Sequence, residues 1–68
     1  MRLEDAMVYV LATAGYGMTT QRIAEVINQQ QLHIRADGQP VSSAQVYAAV
    51  CRNPNTFVKE GGRILLSM

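Results

Sequence analysis

Apolar residues recur at helical spacing from the start of the chain: Leu3, Met7, Val10, Leu11 and Ala14 share one side of a 3.6-residue period. Glu4 and Asp5 stand in the first turn, where carboxylates oppose the positive end of the helix dipole. Gly15 and Gly17 then interrupt the pattern, because glycine takes the left-handed conformation that ends a helix. A first helix over about residues 3 to 14 follows. The second opens at Thr19, whose hydroxyl can accept from a free amide of the first turn. Met18 and Ile23 hold the two places of a hydrophobic staple around that cap. Ile23, Ala24, Val26 and Ile27 form the buried stripe, which runs on toward Gln29-Gln30-Gln31.

Leu32 to Val41 reads as a connection, with Asp37-Gly38 as its turn and Pro40 setting the exit direction. The start signal returns beyond it in fuller form. Ser42 is the cap, Gln45 completes a capping box, and Val41 with Val46 makes a second staple. The third helix is expected from about Ser43 to Asn53, since Pro54 cannot continue it. Angular position turns Val46, Ala49, Val50 and Asn53 inward and Ser43, Ala44, Gln45, Tyr47, Ala48 and Arg52 outward. Two β-prone runs finish the chain, Phe57 to Glu60 and Arg63 to Leu66. They are joined by Gly61-Gly62, a pair suited to positive φ at both positions. That turn sets Glu60 opposite Arg63, Lys59 opposite Ile64, Val58 opposite Leu65 and Phe57 opposite Leu66. Alternation sends Phe57, Ile64 and Leu66 to the core and leaves Val58 and Leu65 half exposed.

The length, 68 residues, fits one small domain spanning 1–68. A chain of this size buries only about 60% of the surface its unfolded form exposes. With 49% apolar residues it stands well above the composition of a disordered segment. The net charge of +1 excludes a polybasic tail. The charge is nonetheless uneven: Arg2 and Arg22 face Glu4, Asp5 and Glu25 in the first half, whereas Arg35, Arg52, Lys59 and Arg63 face only Asp37 and Glu60 in the second. One cysteine, Cys51, permits neither an internal disulfide nor a cysteine metal cage. No apolar run approaches a membrane span. Ala12-Thr13-Ala14 after the apolar stretch from Ala6 has the form of a signal-peptidase site, but Glu4 and Asp5 stand where a leader carries positive charge. A soluble, cytoplasmic protein is the expectation.

Three helices followed by a two-stranded hairpin, with a ten-residue connection before the third helix, is the element order of a winged helix. The expected class is thus mostly α (α+β), a winged helix-turn-helix with a C-terminal β-hairpin wing. Leu3-Glu4-Asp5-Ala6, Gly17 through Glu25, Asp37 through Val46, and Phe57 with a short hairpin ending at Leu66 together resemble the HARE-type helix-turn-helix domain. That winged-helix family is shared by chromatin proteins, restriction-endonuclease fusions and small bacterial proteins, and is related to the amino-terminal domain of the RNA polymerase delta subunit. The resemblance covers roughly residues 3 to 66. It implies DNA binding through many members and protein binding through the polymerase relative. One departure is visible: Arg22 stands where the family often carries an acidic residue, so the reciprocal half of that capping box is absent.

In helix-turn-helix proteins the recognition helix enters the major groove and its early residues meet base edges. Gln45 can pair with adenine and Arg52 with guanine, while Ala44 and Ala48 let the helix sit close to the bases. Ser43 offers a neutral donor, and Tyr47 can donate to a phosphate. Lys59 and Arg63 lie on the wing. Each has a plainer use. Gln45 is needed by its own capping box, and Glu60 opposite Arg63 is equally a cross-strand ion pair. Counting Arg35, Arg52, Lys59 and Arg63, phosphate contacts number at most about four, and the salt slope is no steeper than about −3.6. A lone copy would bind weakly and without much sequence choice, so specificity needs a dimer, a tandem copy or a fused domain.

Other chemistry finds little footing. Gly15-Tyr16-Gly17 lacks the third glycine of a dinucleotide loop, since Thr20 stands there, and a helix precedes it. Cys51 and His33 would both be needed for a nucleophile pair, and no acidic third partner is near either. His33 reads as a loop imidazole, Cys51 as a small apolar filler at the margin of the buried stripe, and Met7 and Met18 as core. No enzyme activity, cofactor or metal is expected. Two functions remain open. One is a duplex-DNA module in transcription or chromosome-associated regulation. The other is a protein-interaction module that docks on RNA polymerase or another chain through the third helix or the Val58/Leu65 face.

Overall fold

The computed structural model describes residues 1–67 and has the element order α1 (Leu3–Ala14), α2 (Thr20–Gln30), α3 (Ser43–Arg52), β1 (Phe57–Glu60) and β2 (Arg63–Leu66). This is the three-helix, one-hairpin layout of a winged helix. Gly15 closes α1 at φ 74°, and its amide donates to the Leu11 carbonyl. Thr19 caps α2 by accepting from the Arg22 amide at 3.1 Å. The Arg22 guanidinium turns instead to Glu25 at 3.5 Å, so only half of this capping box forms. At α3 the box is complete: Ser42 Oγ accepts from the Gln45 amide, and Gln45 Oε1 accepts from the Ser42 amide.

The residues of both staples, Met18, Ile23, Val41 and Val46, are all buried. The helices stop where their caps allow. α3 ends at Arg52, one residue before the expected boundary. Asn53 leaves the helix half-buried and donates from Nδ2 back to the Ala49 carbonyl at 2.7 Å, while its own carbonyl accepts from the Thr56 and Phe57 amides. It turns the chain into the hairpin and is not part of the buried stripe.

The antiparallel register is Phe57↔Leu66, Val58↔Leu65, Lys59↔Ile64 and Glu60↔Arg63, as the two-glycine turn requires. Gly61 and Gly62 take φ of 58° and 79°, a conformation that glycine adopts without steric cost. Phe57 and Ile64 are buried and Leu66 half-buried against the helices, whereas Val58 is exposed and Leu65 half-buried on the other face. The core joins Leu3, Met7, Val10 and Leu11 of α1 to Ile23 and Ile27 of α2, Val46 and Val50 of α3, and the inner hairpin face.

Two long-range polar links tie this core together. Met18, in the turn between α1 and α2, pairs with Ile64: its amide donates to the Ile64 carbonyl at 3.1 Å, and its carbonyl accepts from the Ile64 amide at 2.7 Å. The turn thereby becomes a one-residue third strand on the free edge of β2. Across the helix pair, the Asn28 side chain grips the backbone of Val41, with Nδ2 donating to its carbonyl and Oδ1 accepting from its amide, both at 2.9 Å. This seats the residue that begins the α3 staple against α2. Among the described residues no helix is long and apolar enough to cross a membrane.

Candidate nucleic-acid interface

α3 is positioned by its buried side. Val46 and Ala49 are fully buried and Val50 nearly so, which fixes the rotation of the helix and turns Ser43, Ala44, Tyr47, Ala48, Cys51 and Arg52 to solvent. Cys51 therefore lies on the open face and does not fill the core as expected. The reason is angular: one residue after Val50 is a rotation of about 100°, which carries the side chain off the stripe.

The outward residues differ in how free they are. Gln45 is half-buried, and its Oε1 accepts from both the Ser42 amide at 3.1 Å and Arg35 Nη1 at 3.2 Å. Both partners are donors, so the amide orientation is fixed by chemistry and the oxygen has no lone pair left. Pairing with adenine needs that oxygen to accept from the base, so Gln45 is not an adenine reader in this arrangement. Arg35 is equally committed. Its Nη2 donates to Asp37 at 2.7 Å and its Nη1 is shared between Gln45 and the Pro40 carbonyl, which sets the connection in place and balances its charge.

Lys59 and Arg63 leave the hairpin on opposite faces, because they occupy positions of opposite parity around the two-residue turn. Lys59 reaches α3: Nζ donates to the Tyr47 hydroxyl at 3.3 Å and sits 4.8 Å from the centre of the Tyr47 ring. Arg63 reaches the α1–α2 turn, where Nη1 donates to the Gly17 carbonyl at 3.0 Å. It makes no ion pair with Glu60, its cross-strand neighbour, because the carbonyl of the paired third strand is a fixed acceptor within reach. Arg52, exposed at the end of α3, makes no hydrogen bond or ion pair with the described residues. The wing tip carries no side chain, and a Cβ at either Gly61 or Gly62 would meet open space.

Brought together on one side are thus Ser43, Ala44, Tyr47, Ala48, Arg52 and Lys59, with Gln45 beneath them as a structural cap. Arg63 belongs to the other side. Compared with family models, with curated proteins and with solved structures, the chain matches none.

That other side holds a surface which sequence reasoning located only in part. A shallow groove is lined by Leu11, Ala12, Gly15, Tyr16, Gly17, Leu65 and Leu66. Tyr16 is 64% exposed at its edge. The alternation of β2 pointed to Leu65. Nothing in the local pattern pointed to Tyr16, because its place beside β2 depends on the Met18–Ile64 pairing some 46 residues along the chain.

Proposed function

We propose that the chain is a nucleic-acid-binding winged-helix module that holds duplex DNA with the outward face of α3 and the Lys59 side of its wing. One observation supports the reading above the rest. The outward face of α3 stays uncovered by its own chain, and an unpartnered Arg52 and the hairpin's Lys59 flank its small residues. Ala44 and Ala48 permit close approach to a groove floor, and Ser43 supplies a neutral polar contact.

The binding is mostly to backbone. With Gln45 held by its cap and Arg35 by Asp37, Arg52 is the one side chain of this face able to address a base in bidentate fashion. A single such reader gives little sequence choice, so a role in transcription or chromosome-associated regulation needs a second DNA-binding unit, supplied by a dimer or a fused domain. Duplex added at low salt should shift the NMR signals of Ser43, Tyr47, Arg52 and Lys59, and the shifts should fade near about 200 mM salt. Arg52→Glu should abolish most of the response; an unchanged affinity would place the contact elsewhere.

A protein-docking reading is favoured by one separate feature, the apolar surface of exposed Val58 and half-buried Leu65 on one hairpin face, with exposed Tyr16 beside Leu65 in the groove. Under that reading a protein such as RNA polymerase takes the place of DNA, and the partner stays bound at high salt. No shift of α3 signals on adding duplex, together with salt-resistant association, would select it.

A further inference from the structure

The contact between Tyr47 and Lys59 joins the two parts of the proposed interface. Tyr47 is 44% exposed on the outer side of α3 and Lys59 is exposed on β1. Lys59 nevertheless belongs by alternation to the hairpin face that carries Phe57 and Ile64, both buried. Its stem must run over apolar neighbours before the ammonium reaches water, as long basic side chains do at such edges. Where it emerges, it meets the face and the hydroxyl of one tyrosine.

The geometry is specific. A ring centroid 4.8 Å from Nζ is within cation–π range, and the hydroxyl 3.3 Å away takes one of the three ammonium hydrogens. The other two have no hydrogen-bond partner among the described residues, and Lys59 is exposed. No carboxylate is paired with Lys59: the three ion pairs among the described residues use Glu4, Glu25 and Asp37. The result is a full positive charge held by a neutral partner, in contrast to Arg35, whose charge a carboxylate balances.

We infer that Tyr47 is a positioning residue for Lys59, holding its ammonium at the junction of α3 and the wing as a preformed seat for one phosphodiester oxygen pair of a nucleic-acid backbone. This rests on the proposed DNA reading and adds to it the division of labour within the site. Lysine is flexible and loses much rotamer freedom when it binds a phosphate; a side chain already held loses less. Tyr47 acts through Lys59 and does not replace it.

The experiment is a mutant cycle on duplex affinity over a salt series, with the whole chain and a short mixed-sequence duplex. Lys59→Met should lower the salt slope by about 0.9, the share of one phosphate contact. Tyr47→Leu should weaken binding by about 2- to 5-fold, the range of an exposed cation–π contact, and leave the slope unchanged. The double variant should bind no more weakly than Lys59→Met alone. Tyr47→Phe, which keeps the ring, should lose less than Tyr47→Leu and guards against an effect of altered packing. Losses that multiply in the double variant would mean Tyr47 meets the backbone on its own account. Tighter binding by Tyr47→Leu would mean the ring competes with phosphate for Lys59. Either overturns the assignment while leaving duplex binding intact. A wild-type chain that ignores duplex at low salt removes the parent reading and this one together.

Discussion

Asn28 does for the connection what a strand partner would do. Its amide meets both polar groups of the Val41 backbone at 2.9 Å, so one side chain satisfies the N–H and the C=O of a buried residue in the connection. Asparagine alone among residues of that length offers a donor and an acceptor in the required arrangement. Asn28→Asp keeps the shape and loses the donor, and it sets a carboxylate against the Val41 carbonyl. The expected cost is about 1 to 3 kcal/mol, the penalty for leaving a buried polar group unpaired. In a domain of this size that lowers Tm by roughly 5 to 20 °C, which a thermal melt followed by circular dichroism would read. A Tm within about 2 °C of wild type would show that water replaces the clamp without loss.

Among elements, the hairpin packs its inner face on the helices and adds one distant backbone pairing. The Met18–Ile64 bridge requires the α1–α2 turn to lie close to β2, and Gly17 makes that approach possible. A Cβ at Gly17 would lie 3.0 Å from Leu65 Cγ and 3.3 Å from Arg63 Cβ, so an alanine there needs these side chains to give by a few tenths of an ångström. Gly17→Ala should cost about 1 kcal/mol through this crowding. Its signature is local: the Met18 and Ile64 amides should lose hydrogen-exchange protection, while the α3 amides keep theirs. Uniform loss across all elements would instead mean that the bridge is not separable from the global fold. The contrast with the hairpin's own turn explains what the sequence made legible. Apolar periodicity with Gly15 locates α1; caps, staples, the Pro54 stop and the Gly61-Gly62 register act over two to five residues, and their spacing locates α2 and α3 and sets each cross-strand pair. The Met18 bridge, the Asn28 clamp and the Arg63–Gly17 bond join residues 13 to 46 apart, and nothing local marks them before the chain has folded. The candidate site divides the same way. The outward face of α3 follows from helical period, whereas the capture of Gln45 by Arg35, and the parting of Lys59 from Arg63, depend on the folded arrangement.

For the molecule as a whole, the decisive quantity is how many of its cations can act together on one face. The sequence offers four in the basic half, Arg35, Arg52, Lys59 and Arg63, and the fold disperses them. Arg35 is balanced by Asp37 at 2.7 Å, and Arg63 is drawn to the Gly17 carbonyl on the opposite side. Two remain beside the outward face of α3. Each phosphate neutralised contributes about 0.9 to the dependence of log K on log salt, so a single copy should give a slope near −1.8, half the steepest value the composition allows. The identity of the contributors separates this from a merely weak four-cation surface. Arg52→Ala should reduce the slope by about 0.9. Arg35→Ala should leave it unchanged, even though it removes the same formal charge and loosens the hold on Gln45. If the Arg35 and Arg52 variants lower the slope equally, charge is acting diffusely over the surface. A net charge of +1 then steers the encounter without defining a face, and the assignment of α3 to the groove loses its electrostatic support.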